Sequence, residues 1–288
     1  MDGTGTASFG WRTSSSDVLG DEPPSRRVAP PHRIVLLLPT DAKRTRVNPA
    51  RQLARVAAMG MALPAGLFDG PAQCRVATPD GRAADSLLAG LKTAADAEAR
   101  SLIVYVTGQL ALGGDQQLYL TAPGLPLRLA HLLGVRWEWI THAIGRAAGP
   151  TRLLMVDLEA DSTAWPLLMG SPQAGVDRLV AAGSSLWGQI QPVGSRRRRG
   201  EPAEPSWTET VAALLREGMP GAPAVLTPEA LHDFIPSGPR RDTLSLARFT
   251  PSSGSVQLLN RAVGRGVLSI DVLPGVLQDA LRREEGGR

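Results

Sequence analysis

Cysteine is almost absent from this chain of 288 residues. The one cysteine, Cys74, excludes an internal disulfide framework and a multi-cysteine metal site. Proteins without disulfides are typical of reducing compartments, so the sequence predicts a cytoplasmic protein. Cys74 stands in a short apolar run, where a thiol usually packs as an inert small side chain, and we expect no nucleophilic role for it.

Long hydrophobic runs and a targeting segment are also missing. No apolar run approaches the roughly 18 residues that span a bilayer, and residues 1–31 lack the basic and apolar regions of a signal peptide. The net charge is only +4, with much of the basic excess in Arg196, Arg197, Arg198 and Arg199. These features argue against membrane insertion and against a general nucleic-acid function.

Several motifs that mark cofactor sites are absent. The chain has no Gly-x-x-x-x-Gly-Lys-Ser/Thr phosphate loop, and Ser184-Ser185 is not set in a Gly-x-Ser-x-Gly elbow. The four histidines, at positions 32, 131, 142 and 232, show no zinc-site spacing. The sequence therefore predicts neither a metal nor a cofactor.

Two short runs that are apolar on both faces dominate what is present. Leu102 to Thr107 ends at Gly108-Gln109, and Leu153 to Val156 ends at a series of polar residues. Such runs are typical of central strands in a sheet covered on both sides. Helical patterns alternate with them and with a first strand at Ile34 to Leu38, so the sequence predicts an α/β fold with a mainly parallel sheet of about five or six strands.

Composition divides the chain into three parts. Residues 1–31 have no sustained apolar period and are predicted to be a disordered leader, whereas residues 32–240 form the α/β domain. Residues 191–205, rich in Arg, Pro and Gly, are predicted to be a mobile basic loop within that domain. The remaining residues, 241–288, form a C-terminal extension whose pattern from Val272 to Leu281 predicts a terminal helix.

Polar residues follow both central strands. Because ligands bind beyond the carboxyl ends of parallel strands, we expect a pocket at this edge formed by Gly108, Gln109, Asp157, Glu159, Asp161 and Ser162. The three carboxylates could gather Mg²⁺ or serve as acid and base groups. We favour a simpler role, in which Asp157 accepts backbone hydrogen bonds while Glu159 and Asp161 are solvated.

The order of these segments resembles the caspase-like peptidase fold. The similar segments are Leu102-Ile103-Val104-Tyr105-Val106-Thr107-Gly108, Leu153-Leu154-Met155-Val156-Asp157, and a helix pair at Trp207 to Leu215 and Leu226 to Leu231. In that family the first strand ends in Gly-His-Gly, whose His is the general base, and the second ends in Asp-x-Cys-x-Ser-Gly, whose Cys is the nucleophile. The resemblance covers residues 33 to about 235 and implies a three-layer sandwich with helices on both faces of the sheet.

This chain departs from the family at the reactive positions. Gln109 stands at the His position, Leu110 at the following Gly and Glu159 at the Cys position. Thiolate attack needs a sulfur nucleophile and an imidazole to accept its proton. The resemblance therefore implies a catalytically degenerate caspase-like protein, a binding or regulatory module with protein partners, of the kind found in bacterial signalling or conflict systems. Acidic groups at its pocket would suit a basic or amide-bearing ligand.

Other interpretations stay open at the level of sequence. The chain could be an active hydrolase that uses the carboxylates at 157–161, or a flavodoxin-like regulatory domain unrelated to peptidases, which strand order would distinguish. The arginines at 196–199 could bind a partner or could simply be solvated. The oligomeric state, the partner and any ligand are not predicted.

Overall fold

One large sheet with helices on both faces organises the protein. A computed structural model describes residues 29–39, 50–63, 65–78, 85–122, 129–194, 205–235, 243–250 and 255–263. The strands are β1 His32–Leu37, β2 Ala72–Ala77, β3 Ser101–Leu112, β4 Leu118–Thr121, β5 Val135–Arg136, β6 Thr151–Ala160, β7 Ser185–Pro192, β8 Val225–Leu226, β9 Leu244–Arg248 and β10 Leu258–Leu259. The helices are α1 Ala50–Ala62, α2 Asp85–Asp96, α3 Ala130–Leu133, α4 Trp137–Gly145, α5 Ala164–Met169, α6 Pro172–Leu179, α7 Trp207–Glu217 and α8 Pro228–Phe234, with a 3₁₀ turn at Ala65–Leu67.

The sheet is mixed but mainly parallel, as predicted. Its eight strands include a path in the order β2-β1-β3-β6-β7-β9, along which the first five strands are parallel and β9 is antiparallel. β4 branches antiparallel from β3 and pairs with β5. The sheet exceeds the five or six strands predicted because β5 and β9 also join it. β9 lies in the segment that the sequence analysis assigned to a C-terminal extension.

Two apolar cores lie on opposite faces of this sheet. Leu102 and Val104 of β3 point toward the layer of α2, α4, α5 and α6, whereas Ile103 and Tyr105 point toward the layer of α1 and α7. The alternation follows from the two-residue period of a strand. A perpendicular aromatic contact between Trp187 and Trp207, with ring centroids 5.0 Å apart, joins β7 to α7 in the second core.

Local signals in the sequence explain where α7 begins. Ser206 accepts a hydrogen bond from the backbone N–H of Glu209, and the Glu209 carboxylate accepts one from the backbone N–H of Ser206, which together form a capping box. The cap fixes the first turn of α7, in which Trp207 contacts Trp187 of β7 and Thr208 contacts Asp157 of β6.

Gly108 lets β3 continue past the parallel ladder. Its φ is +153°, and a Cβ at this position would lie 2.7 Å from Cγ of Pro39 and 3.0 Å from Cδ1 of Leu120. Only glycine relieves both constraints. β3 therefore runs for 12 residues, pairing with β1 over residues 101–106, with β6 over residues 101–110 and with β4 over residues 109–112.

Some predictions concern other parts of the chain or need correction. The leader up to residue 28, the arginines at 196–199 and the terminal helix from Val272 lie outside the described residues. Cys74, expected in an apolar neighbourhood, is exposed because β2 is an edge strand. Within the described ranges, none of the helices combines the length and apolar character that crossing a membrane requires.

Candidate functional site

The structure brings Gln109 and Glu159 together. They are register partners on the neighbouring parallel strands β3 and β6, near the carboxyl ends of both. Adjacent strands lie about 4.8 Å apart, and register partners point to the same face of a sheet. Gln109 is buried, and the Glu159 side chain is 15 % exposed. An amide and a carboxylate thus meet at the edge where the resemblance predicts an imidazole and a thiol.

Asp157 lies deeper, beneath the first turn of α7. Its carboxylate is fully buried and accepts a hydrogen bond of 2.6 Å from the Thr208 hydroxyl. The backbone N–H of Thr208 at 3.4 Å and the side-chain amide of Gln189 at 3.3 Å also donate to it. The unpaired N–H groups at a helix N-terminus attract negative charge, so the first turn of α7 offers the Asp157 carboxylate favourable electrostatic contacts.

Two arginines of α1 meet these carboxylates. Nε of Arg55 lies 3.3 Å from Asp157, and Nη1 of Arg55 lies 3.9 Å from Glu159. Nη1 of Arg51 lies 3.3 Å from the same Glu159 oxygen. Two cations therefore balance two anions. The basic ligand that the sequence predicted for this pocket is already supplied by the chain itself.

Arg55 is unusual because its guanidinium is almost completely buried. The side chain is 2 % exposed, and none of its three nitrogens makes a well-aligned hydrogen bond to another described residue. Its attraction to Asp157 and Glu159 is therefore mainly electrostatic. Burial strengthens that attraction because little water screens it.

A hydroxyl chain extends the network into the sheet. The Tyr105 hydroxyl lies 2.6 Å from the Thr208 hydroxyl. Thr208 donates its one hydroxyl proton to Asp157, so Tyr105 is the donor in this contact. Burial, together with the nearby Asp157 charge, raises the pKa of Tyr105 well above its usual value, which keeps its proton in place. Tyr105 therefore keeps its hydroxyl proton, and the chain Tyr105–Thr208–Asp157 is a fixed series of hydrogen bonds.

Asp161 and Ser162 do not join this cluster. Oδ1 of Asp161 accepts hydrogen bonds from the backbone N–H of Thr163 and Ala164, both at 2.8 Å, and from the Thr163 hydroxyl at 2.6 Å. Asp161 therefore organises the start of α5, and Ser162 is exposed. The expectation that Glu159 and Asp161 are solvated is wrong, because arginines cover one and a turn encloses the other. Nowhere in the described ranges do three His, Cys, Asp or Glu side chains form a group suited to a metal ion.

The thiol and the buried imidazole are both remote from this edge. Cys74 is in register with Ile34 and hence with Ile103, six residues before Gln109 and so about 20 Å away along the strands. Partial burial raises the pKa of the Cys74 thiol, which disfavours a nucleophilic thiolate. His32 lies at the opposite end of the sheet, bonded to the Ser101 hydroxyl at 2.8 Å, with its pKa lowered by burial.

Sequence analysis missed the partners of the carboxylates. Arg51 and Arg55 are four residues apart and so share a face of α1, which is the one signal that could have identified them. Thr208 follows the capping serine by two residues, a position that points its N–H out of the helix end. Tyr105 and Gln189 sit inside strands and gave no separate signal.

Comparisons with known proteins leave the family open. The sequence matches no profile of a known protein family, and no curated protein matches it. Among solved structures, the chain is similar to protein GSU0716 from Geobacter sulfurreducens, with a TM-score of 0.44 and 12 % sequence identity. The alignment covers 83 % of this chain and 100 % of that one. We draw no functional conclusion from a likeness of this size.

Proposed function

We propose that this chain is a catalytically inactive caspase-like protein that acts as a binding or regulatory module. The observation that carries the proposal is the register pairing of Gln109 with Glu159 at the carboxyl ends of β3 and β6. These are the two positions at which the sequence resemblance implies a general base and a nucleophile. Both are filled by groups that cannot perform thiolate attack.

The chemistry of the two side chains supports the absence of peptidase activity. The amide of Gln109 cannot accept a proton at neutral pH, as the imidazole base of a cysteine peptidase must. Glu159 is paired with the guanidinium groups of Arg51 and Arg55, so its carboxylate oxygen is already engaged and is not free to attack a carbonyl carbon. Cys74 is too distant to replace either group.

The environment of the carboxylates also weighs against a carboxylate-based hydrolase. Asp157 is fully buried and cannot touch a substrate. Asp161 is also buried, and its Oδ1 accepts hydrogen bonds at the start of α5. A buried network whose charges balance is better suited to fixing α1 and α7 on the sheet. A binding function would then use the exposed surface of the protein rather than this buried network.

A flavodoxin-like regulatory domain is the second candidate. The five parallel strands have the order 2-1-3-4-5 when only they are numbered, which is the flavodoxin-like order. β9 adds an antiparallel strand beyond this set. The order of the parallel strands therefore fits this candidate, with β9 as an antiparallel addition. The two candidates differ in whether positions 109 and 159 correspond to a peptidase dyad.

Turnover assays test the proposed inactivity. We expect wild-type protein to release no fluorophore from peptides with Arg, Lys or Asp before the scissile bond, with an active protease confirming that each substrate is competent. Turnover that Glu159→Gln abolishes would contradict the proposal. The matched control is Glu138→Gln, which alters an exposed glutamate on α4 and leaves the site intact.

Restoring the family's residues tests the assignment of the two positions. In a Cys74→Ser background, we expect the thiol of Glu159→Cys to react with iodoacetamide at least threefold faster at pH 7 when Gln109→His is also present, because the imidazole would stabilise the thiolate. Equal rates in the single and double variants would show that side chains at 109 and 159 do not cooperate. That result would favour the flavodoxin-like alternative.

A further inference from the structure

A second concave site lies beside the branch of the sheet formed by β4 and β5. It is an open cleft of about 520 Å³, lined by Gly114, Asp115, Tyr119, His131, Gly134, Arg136 and Trp139. Volumes of roughly 300 to 1,000 Å³ are typical of sites that bind small ligands or peptide side chains. None of its lining residues belongs to the network around Asp157.

One wall of the cleft is held rigidly by three polar side chains. The Asp115 carboxylate accepts hydrogen bonds from the Tyr119 hydroxyl at 2.8 Å and from Nη2 of Arg136 at 3.0 Å. Nε of Arg136 donates to the Tyr119 oxygen at 3.1 Å, which closes a triangle. The hydrogen bond from Tyr119 lowers the pKa of Asp115, so the carboxylate is ionised at neutral pH. A wall fixed in this way needs little reorganisation when a ligand binds.

The charges of this wall cancel. Asp115 and Arg136 form a pair whose side chains are 37 % and 38 % exposed, so a hydrogen-bond acceptor and a donor both face solvent while their charges sum to zero. A charged ligand would be attracted by one member of the Asp115–Arg136 pair and repelled by the other. An uncharged amide, which offers one N–H and one C=O, matches the pair better.

The rest of the cleft is lined by the exposed ring of Trp139, by His131 and by two glycines. Trp139 is 44 % exposed, and its ring packs against the Arg136 guanidinium, which lies 5.5 Å from the ring centroid. Leu132 and Leu133, which follow His131 on α3 and are not part of the cleft lining, are 65 % and 46 % exposed. Exposed Trp with Tyr and Arg is the composition of residues that dominate binding energy at protein interfaces. Such a surface favours an apolar side chain in the partner.

We propose that this cleft binds an uncharged stretch of a partner protein's chain, with an aromatic or aliphatic side chain against Trp139 and a backbone amide on the Asp115–Arg136 pair. The inference relies on the proposed function only for its biological meaning, as the surface through which the module recruits its partner. Peptide binding can be measured whether or not the protein has peptidase activity, so the two proposals can fail separately.

Capped pentapeptides test the chemistry of the ligand. The probes are Gly-Gly-Xaa-Gly-Gly with Phe, Leu, Asp or Lys at the centre, titrated into the full chain and followed by the NMR shift of the Trp139 indole N–H. We expect the Phe and Leu peptides to bind at least fivefold more tightly than the Asp and Lys peptides. Equal binding of all four peptides, or preference for a charged one, would overturn the proposal.

Three variants test the location. Trp139→Ala removes the exposed ring, and Gly114→Leu fills the cleft from the opposite side, where a Cβ would meet no atom within 4 Å. We expect each to weaken binding of the Phe peptide at least tenfold, as followed by calorimetry. Met61→Ala, an exposed apolar residue on α1, should leave it unchanged. Unchanged affinity in Trp139→Ala and Gly114→Leu would overturn the location.

Two other occupants give distinct results. If Phe9→Ala or Trp11→Ala in the full chain raises the affinity for the Phe peptide, an aromatic segment of the chain itself fills the cleft. If wild-type protein dimerises in sedimentation experiments and Trp139→Ala abolishes the dimer, the occupant is a second copy. Either result would overturn the assignment to a partner protein.

Discussion

At the scale of single residues, Arg55 and Asp157 form a buried ion pair whose stability depends on both partners. Both side chains are at most 2 % exposed, and their closest atoms are 3.3 Å apart. A buried ion pair contributes little net stability relative to an apolar pair, because both charges lose their hydration. Removing one partner is a different matter, since the other charge is then left buried without compensation.

Arg55→Met should therefore destabilise the protein strongly. We expect the free energy of unfolding to fall by about 3 to 5 kcal/mol, measured by urea denaturation. Asp157→Asn is a suitable second variant because it keeps an acceptor for the Thr208 hydroxyl. Since neither charge is left without its partner in the double variant Arg55→Met/Asp157→Asn, its loss of stability should be markedly less than the sum of the two single losses. Additive losses would mean that the two charges do not interact.

Gly108 offers a test of the backbone at the site. Gly108→Ala should lower the free energy of unfolding by about 2 to 4 kcal/mol, because the alanine would adopt a strained φ and its methyl group would overlap Pro39. Gly114→Ala is the matched control, in the turn that follows the same strand, where a Cβ meets nothing within 4 Å. We expect it to change stability by no more than about 0.5 kcal/mol in the same denaturation experiment.

The sequence could predict the polar residues of the site but not their partners. Gln109 and Glu159 follow apolar runs that are recognisable as central strands, and parallel strands bring such ends to one edge. Arg55 lies on the amphipathic helix α1 and is buried. The spacing of apolar residues in this helix does not indicate that a buried arginine contacts a carboxylate of the sheet. Whether a carboxylate is solvated depends on such long-range packing, which sequence patterns do not encode.

At the scale of elements, helix α7 connects the layer of α1 and α7 to the buried carboxylate of Asp157. Its first turn is fixed by the capping box of Ser206 and Glu209, and its next residues cover Asp157. The position of a strand within the sheet also limits prediction from the sequence. β2 reads as a buried strand because its residues are partly apolar, but strand order makes it an edge strand and exposes Cys74.

Ser206→Ala should weaken the attachment of α7. We expect a loss of about 1 kcal/mol in the free energy of unfolding, because the N–H of Glu209 loses its side-chain acceptor. Thr227→Ala removes the corresponding cap of α8, where the Thr227 hydroxyl accepts from the N–H of Ala230, and serves as the comparison. Hydrogen exchange should show faster exchange confined to the first turn of α7 in Ser206→Ala. Protection unchanged in that turn would contradict the role of the cap.

At the scale of the whole molecule, one sheet serves two cores. β3 and β6 contribute alternate side chains to both cores. Disruption of either strand would therefore disrupt both cores. The α/β class and the parallel sheet could be predicted because they follow from the alternation of apolar runs and amphipathic helices. The short strand β5 and the pairing of β9 could not, since short edge strands depend on their neighbours for burial.

The shared sheet predicts a single unfolding transition. Met59→Ala, in the layer of α1, and Leu91→Ala, in the layer of α2, each remove a fully buried side chain and should cost about 2 to 5 kcal/mol. For both variants, urea midpoints from tryptophan fluorescence and from far-ultraviolet circular dichroism should shift together. Separate midpoints for the two probes would show that the layers unfold independently.

The perpendicular pair of Trp187 and Trp207 also gives the molecule a built-in optical marker. Two indoles with centroids 5.0 Å apart and ring planes at 78° share their electronic excitation, so the folded chain should display a positive and negative exciton couplet that Trp207→Phe abolishes. Because one ring belongs to a strand and the other to α7, the couplet reports whether this helix is seated, without any added label.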